Sequence, residues 1–178
     1  MQLPVVRSLL LTLITFSLLL SLTSSTFAQT NGLDVTNVYI VDEEGIVNGD
    51  IMSNAGQGIV RSTFDYDQKV FGVYQQTPLI VFRNVDGSGV PIVRNGTVSV
   101  NVTTLNGSIN QGDFITTSGI QGKGQKATRS GYVLGSALES FNGETGTDTE
   151  FQGKQIKQGQ IQVAVRIEYA EIDSARNI

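Results

Sequence analysis

The sequence of 178 residues contains no cysteine, no histidine and no tryptophan, and only three prolines. Without cysteine there is no disulfide framework, no thiol nucleophile and no cysteine to carry a lipid. Without histidine the chain lacks the commonest general base and the commonest metal-ligating side chain. Serine–histidine–aspartate and cysteine–histidine catalysis are therefore excluded within one chain, and only a serine–lysine arrangement stays formally open. Lys69, Lys123, Lys126, Lys154 and Lys157 all stand in polar stretches that read as exposed surface. Charge is sparse as well: 16% of residues are charged, with 12 basic against 16 acidic side chains. That mild acidity argues against nucleic acid and anionic membrane surfaces, both of which want a basic face. These absences set the first expectation: no enzyme, no cofactor, no metal, and protein as the partner.

What is present begins with the first 28 residues. A single cation, Arg7, precedes the apolar run Leu9 to Leu22, and a small, polar stretch follows, ending Thr26-Phe27-Ala28. This is the pattern of a secretory signal peptide, residues 1–28, with Gln29 as the mature start. The uninterrupted apolar core is shorter than the roughly 20 residues a spanning helix needs, so no membrane span is expected after cleavage. The expected location is secreted, cell-surface or periplasmic. With no disulfide available, the fold must be held by its core, which about 150 mature residues can supply.

Beyond residue 28 the chain is punctuated by Asn-Gly pairs: Asn31-Gly32, Asn48-Gly49, Asn95-Gly96, Asn106-Gly107 and Asn142-Gly143. Asn and Gly tolerate the positive φ that tight hairpin turns demand. Between them lie short β-branched runs, at Val38 to Val41, Leu79 to Phe82 and Ile161 to Ile167. The clearest is Thr97 to Val102, whose alternation puts Val98, Val100 and Val102 on one face and Thr97, Ser99 and Asn101 on the other. No long segment after residue 28 has helical periodicity. The pattern predicts an all-β protein with short strands at turn-marked intervals.

A repeat runs through these strands. Gly49-Asp50-Ile51 returns 63 residues later as Gly112-Asp113-Phe114, and Val70-Phe71-Gly72 returns at the same offset as Val133-Leu134-Gly135. Gly96 meets Gly159, and Val98, Val100 and Val102 meet Ile161, Val163 and Val165. Ile46 meets Ile109 and Gly56 meets Gly119. Three separated blocks with one offset indicate two copies, about 42–104 and 105–167. A lead-in strand at 29–41 precedes them and a tail at 168–178 follows. Two copies are too few for a solenoid, and each is small for a core of its own. The expected fold is therefore one compact β-barrel-like or sandwich body.

Gly49, Asp50, Gly112 and Asp113 are the candidate structural-turn residues. Glycine supplies the positive φ, and the aspartate is expected to cap the turn by accepting N–H bonds from amides one or two residues on. The functional alternative is a symmetry-related pair of carboxylates, Asp50 and Asp113, acting on a metal or substrate.

From Val90 onward the order of motifs is familiar. Val90-Pro91-Ile92-Val93 and Gly96-Thr97-Val98-Ser99-Val100-Asn101-Val102 lead into Asn106-Gly107-Ser108-Ile109-Asn110-Gln111-Gly112-Asp113. Ile115-Thr116-Thr117-Ser118, Lys126-Ala127-Thr128 and Gly131-Tyr132-Val133-Leu134-Gly135-Ser136-Ala137-Leu138-Glu139 follow. This resembles the β domain found near the C-termini of bacterial surface and fibre-like proteins. It is also similar to the intramolecular-chaperone autoproteolytic domain of phage appendage and tail-spike proteins. The likeness spans roughly residues 33–167 and is strongest from Val90 to Glu139. It implies a β-barrel-like module in surface or fibre assemblies, trimeric in some members and self-cleaving in some phage members. Fold carries over from such a likeness better than activity does.

Other motifs resolve into turns. Asp42-Glu43-Glu44 lacks the spacing of a dedicated calcium loop and reads as a solvated turn. Gly119 to Gly124 opens no helix, so it lacks the amides of a phosphate cradle and reads as a flexible hairpin connection. The tyrosines, Tyr39, Tyr66, Tyr74, Tyr132 and Tyr169, are scattered; a carbohydrate-binding face would need some of them side by side. The sequence thus points first to a secreted or surface-attached structural or interaction module, non-enzymatic and able to form homo-oligomers. Self-cleavage is the first alternative and carbohydrate binding the second.

Overall fold

The computed structural model describes residues 35–172, without residues 57 and 85. The predicted signal peptide lies outside the described residues, as do the start of the lead-in and residues 173–178 of the tail. The described chain is all-β: twelve strands form two curled mixed sheets of six strands each.

The first sheet holds β1 (Val35–Tyr39), β2 (Ile51–Asn54), β3 (Ile59–Arg61), β4 (Val70–Tyr74), β5 (Ile80–Phe82) and β6 (Val90–Val93), in the order β3-β2-β4-β6-β1-β5. A parallel bridge between Val41 and Ile59 ties the end of β1 back to β3. Five strands thus close on themselves, and β5 lies outside the ring, parallel to β1. The second sheet holds β7 (Asn95–Thr103), β8 (Phe114–Thr117), β9 (Gly124–Lys126), β10 (Gly131–Ala137), β11 (Thr147–Phe151) and β12 (Lys154–Ala170). Its order is β10-β8-β9-β7-β12-β11, and β10 also pairs with β12, closing a second ring.

The two rings are built alike, and the likeness extends to single bonds. Met52 pairs with Gly72 across β2 and β4, and 63 residues on, Ile115 pairs with Gly135 across β8 and β10. Gly49 N–H donates to the Tyr74 carbonyl at 2.9 Å, and Gly112 N–H to the Ala137 carbonyl at 2.8 Å. The parallel closure recurs too, as Val102 beside Gly124. At Gly72 and Gly135 a Cβ would lie 2.5 and 2.0 Å from a carbonyl oxygen of the neighbouring strand, that of Val93 and Ala164 respectively. Only glycine lets the strands come so close.

The last block of the repeat is corrected by the structure. Val98, Val100 and Val102 are on β7 and Ile161, Val163 and Val165 on β12, antiparallel neighbours in one ring (Val98 opposite Val163, Val100 opposite Ile161) rather than equivalents in two copies. Each copy therefore begins one strand earlier, with β1 and β7. The lead-in is an interior strand, held between β6 and β5. The offset also breaks inside the copies, because they differ in their links. The β8–β9 link is longer than the β2–β3 link, and the path from Ala127 to Val133 is shorter than that from Ser62 to Val70. The two differences cancel, so the offset is lost through β3 and regained at β4.

The core follows the duplication. Ile46, Met52, Phe71 and Tyr74 gather inside the first ring with Ile59 and Ile92. Their counterparts Ile109, Ile115, Leu134 and Ala137 gather inside the second with Val100, Val102, Ile161 and Val163. The second interior is sealed, whereas Ile46, Phe71 and Tyr74 in the first are only partly buried. As the alternation in Thr97 to Val102 predicts, Val98, Val100 and Val102 are buried and their neighbours half-buried. The outer face of the first ring, Ile51, Val70, Val73 and Val93, joins the second ring's core in one continuous cluster. The copies are therefore fused through apolar surface rather than strung on a linker.

Candidate functional site

The two Gly-Asp turns share a backbone design. Gly49 and Gly112 both have φ of 89°, a region that L side chains rarely adopt. Asp50 N–H donates to the Val47 carbonyl and Asp113 N–H to the Asn110 carbonyl, each at 3.0 Å. The carboxylates cap backwards rather than forwards. Asp50 Oδ2 accepts the Val47 N–H at 3.0 Å, and Asp113 Oδ2 the Asn110 N–H at 2.7 Å. At Asp50 the next amide, Ile51 N–H, is already taken by the Gly122 carbonyl, and the side chain reaches the amide three residues earlier.

The surroundings of the two aspartates differ. Asp50 has 1% of its side chain exposed and faces the other copy: Oδ1 accepts from Asn101 Nδ2 at 2.9 Å and pairs with Lys123 Nζ at 3.2 Å. Around it, Ile51 N–H donates to the Gly122 carbonyl and Asn101 N–H to the Gly49 carbonyl, both at 2.9 Å. Asp113 has 24% of its side chain exposed and pairs with Lys126 at 2.9 Å. The two carboxylates share no partner, and the structure does not assemble them into one site. Gly119 to Gly124, expected to be a flexible connection, is instead pinned against Asp50 by Gly122 and Lys123.

Glu43 is a second clamp that its charged sequence context concealed. It accepts from Arg61 N–H at 2.7 Å, from Arg61 Nε at 2.8 Å and from Gln121 Nε2 at 2.6 Å, so it ties β3 to the β8–β9 link. Burial, the largest single influence, pushes its pKa up. The hydrogen bonds from the Arg61 side chain and backbone, with the Arg61 charge, together outweigh burial and hold the carboxyl below its ordinary 4.5.

The link from Ser62 to Lys69 carries Tyr66, a non-glycine residue at φ 52°. Its ring is buried with Ala127, Val133 and Ala170 of the second copy. Its hydroxyl accepts the Thr128 N–H at 2.6 Å and the Arg129 N–H at 3.0 Å, while the Arg129 guanidinium lies 3.8 Å from the ring centroid. These contacts hold the left-handed conformation in place. On the other side of this link, against the β2–β3 hairpin, is a pocket of about 520 Å³ lined by Asn54, Arg61, Asp67 and Lys69 among others. Phe64, 70% exposed, is part of its wall. Among the described residues no group of three or more acidic side chains is placed to hold a metal ion.

β5 exposes two large apolar side chains together. Ile80 and Phe82 point to the same face of the sheet, two residues apart, and are 43% and 61% exposed. β5 ends the strand order of its sheet, and among the described residues no strand pairs with its outer edge. The opposite terminal strand of the fold, β11, is polar: Thr147, Asp148, Thr149 and Glu150, with Asp148 paired to Lys157 at 2.6 Å. Of the tyrosines, Tyr132 and Tyr169 do stand side by side across β10 and β12, edge to face at 5.8 Å. Tyr39 and Tyr74 pack against the first ring's interior and Tyr66 is in the joint.

Sequence reasoning pointed to the Gly-Asp turns and missed Glu43, Tyr66 and the β5 edge. Tyr66 lies in the stretch where the first copy outruns the second, so aligning the copies link by link would have singled it out. At the 63-residue offset, the uncharged run Gln75 to Phe82 stands against Leu138 to Thr145, which carries Glu139 and Glu144. That contrast marks β5. Comparison of the chain with family models, with curated proteins and with solved structures gives no match.

Proposed function

We propose that this chain is an exported structural or interaction module of a surface fibre or envelope assembly, working by offering a strand edge to another protein. One observation carries the reading: β5 presents an uncharged edge with Ile80 and Phe82 in solvent. Exposed apolar edges invite strand addition, and proteins that do not use them usually blunt them with charge. The signal-peptide pattern of residues 1–28 supports export, and the resemblance to β domains of surface and fibre-like proteins supports assembly as the role. The asymmetry of the cores supports it as well, because the sealed second ring can hold the more open first ring in shape while the first engages a partner.

Two measurements test the reading. Protein recovered from the medium or the envelope should have the intact mass of a chain starting at Gln29; finding Met1 still attached in a membrane fraction would replace the signal peptide with an anchor. Phe82→Lys should leave the fold intact and abolish incorporation into the envelope assembly. Normal incorporation of that variant would remove β5 from the account.

A further inference from the structure

We infer that the outer edge of β5 seats a second copy of this chain, its own β5, paired antiparallel about Val81. The inference rests on the interaction-module reading and names the partner.

Three features lead to a second copy. The first is the contrast within the chain. β5 and β11 hold the same place in the order of their copies, between the fourth and sixth strands, and both end their sheets. β11 is joined to β12 by a tight hairpin, with Gln152 at φ 51° and Gly153 at φ 79°, and it carries Asp148 and Glu150. An edge with such charges resists strand addition. From Gln75 to Phe82 the first copy has no charge at all, so the charges that guard β11 have no counterpart on β5.

The second feature is geometric self-complementarity. Antiparallel pairing about Val81 sets Ile80 opposite Phe82 of the second copy, and Phe82 opposite its Ile80. Directly opposed residues lie on one face of a sheet, so the four exposed side chains come together on that face. A twofold interface uses the same patch on both partners, which this strand satisfies by itself.

The third feature is charge. Arg83 is the first charged residue after the strand. Antiparallel pairing sets it opposite Leu79 of the second copy. Parallel pairing in register would stack it on Arg83 of the second copy, and like charges directly opposite are destabilising. The charge pattern therefore chooses the antiparallel arrangement. The resulting interface is small beside a standard protein interface, so the dimer is reversible and depends on concentration.

The test places a photo-reactive residue at position 81 and irradiates the producing cells. A product with twice the mass of the chain, linked between the two positions 81, supports the inference. A product with a different protein overturns the second copy as the occupant while leaving β5 an interaction edge. No product overturns both. Light scattering of the purified protein provides the register. The unsubstituted chain should approach twice its monomer mass as concentration rises, and Ile80→Lys and Phe82→Lys should each hold it at the monomer mass. The double variant Ile80→Lys/Phe82→Glu should recover the doubled mass in a salt-sensitive way, because antiparallel pairing sets the new opposite charges face to face. If the double variant remains a monomer while the unsubstituted chain dimerises, the antiparallel register is wrong.

Discussion

Asp50 and Asp113 show how one residue, copied, comes to do two jobs. Both cap the same turn through the same amide, yet Asp50 alone is enclosed and shared between the copies by Asn101 and Lys123. Removing a buried carboxylate leaves its partners unpaired within the joint, whereas removing a partly exposed one returns its partners to water. Asp50→Ala should therefore lower stability by about 3 kcal/mol and Asp113→Asn by about 1 kcal/mol, read from denaturant midpoints at unchanged slope. Equal losses would mean that the joint gains nothing from Asp50. Purified protein incubated for days should keep its chain length in both the unsubstituted form and Asp113→Asn. A discrete self-generated fragment that disappears in the variant would make Asp113 part of a self-cleaving site.

Glu43 adds a dependence on pH. Its folded pKa is lowered, so the contribution of the Arg61 clamp is fully present above the ordinary value of 4.5. It shrinks as pH falls below that, because the unfolded chain takes up the proton first, and it is gone once the folded carboxyl is protonated. Glu43→Gln should flatten the acid limb of the stability curve below pH 4.5 and lower the plateau above it. An acid limb unchanged by the substitution would assign it to other carboxylates.

Among the elements, the strands most legible in the sequence are those with one buried and one wet face. Val98, Val100 and Val102 alternate cleanly because β7 has core on one side only. The long β12 shows its pattern only from Ile161 on, since its first residues, Lys154 to Gln158, extend beyond the ring to pair with β11. β3 and β9 are three residues each and have no readable period. β1 was legible as a strand but not as a member of the repeat, because its likeness to β7 is in pairing rather than in residue identity. The turns were legible where glycine is required, but Asn101 and Lys123 against Asp50, Gln121 against Glu43 and Arg129 against Tyr66 come from the other copy, and sequence spacing says nothing of these. At the element scale the sharpest test of the duplication is Gly135→Ala. Its Cβ would run into the Ala164 carbonyl, and the cost should be about 3 kcal/mol or more. Gly72→Ala, which meets the Val93 carbonyl in the equivalent place, should be damaging in the same way. A tolerated alanine at either position would mean that the strands do not approach as described.

As a whole molecule, the described chain is one barrel-like ring built twice and then made unequal. The shared cluster from Ile51 to Val165, the buried Asp50 and the inserted Tyr66 bind the rings into one body, and unfolding should follow a single transition by every probe. Inequality is where the proposed function resides. The second ring has a sealed interior and a charged edge strand; the first has a partly open interior and an apolar one. The most direct test of that division is amide hydrogen exchange on β5 and β11 in the same sample, at low and high protein concentration. Exchange at residues 79–83 should slow as concentration rises, while exchange at residues 147–151 stays constant, because only the first edge takes a partner strand. Equal and concentration-independent exchange at both edges would contradict the account.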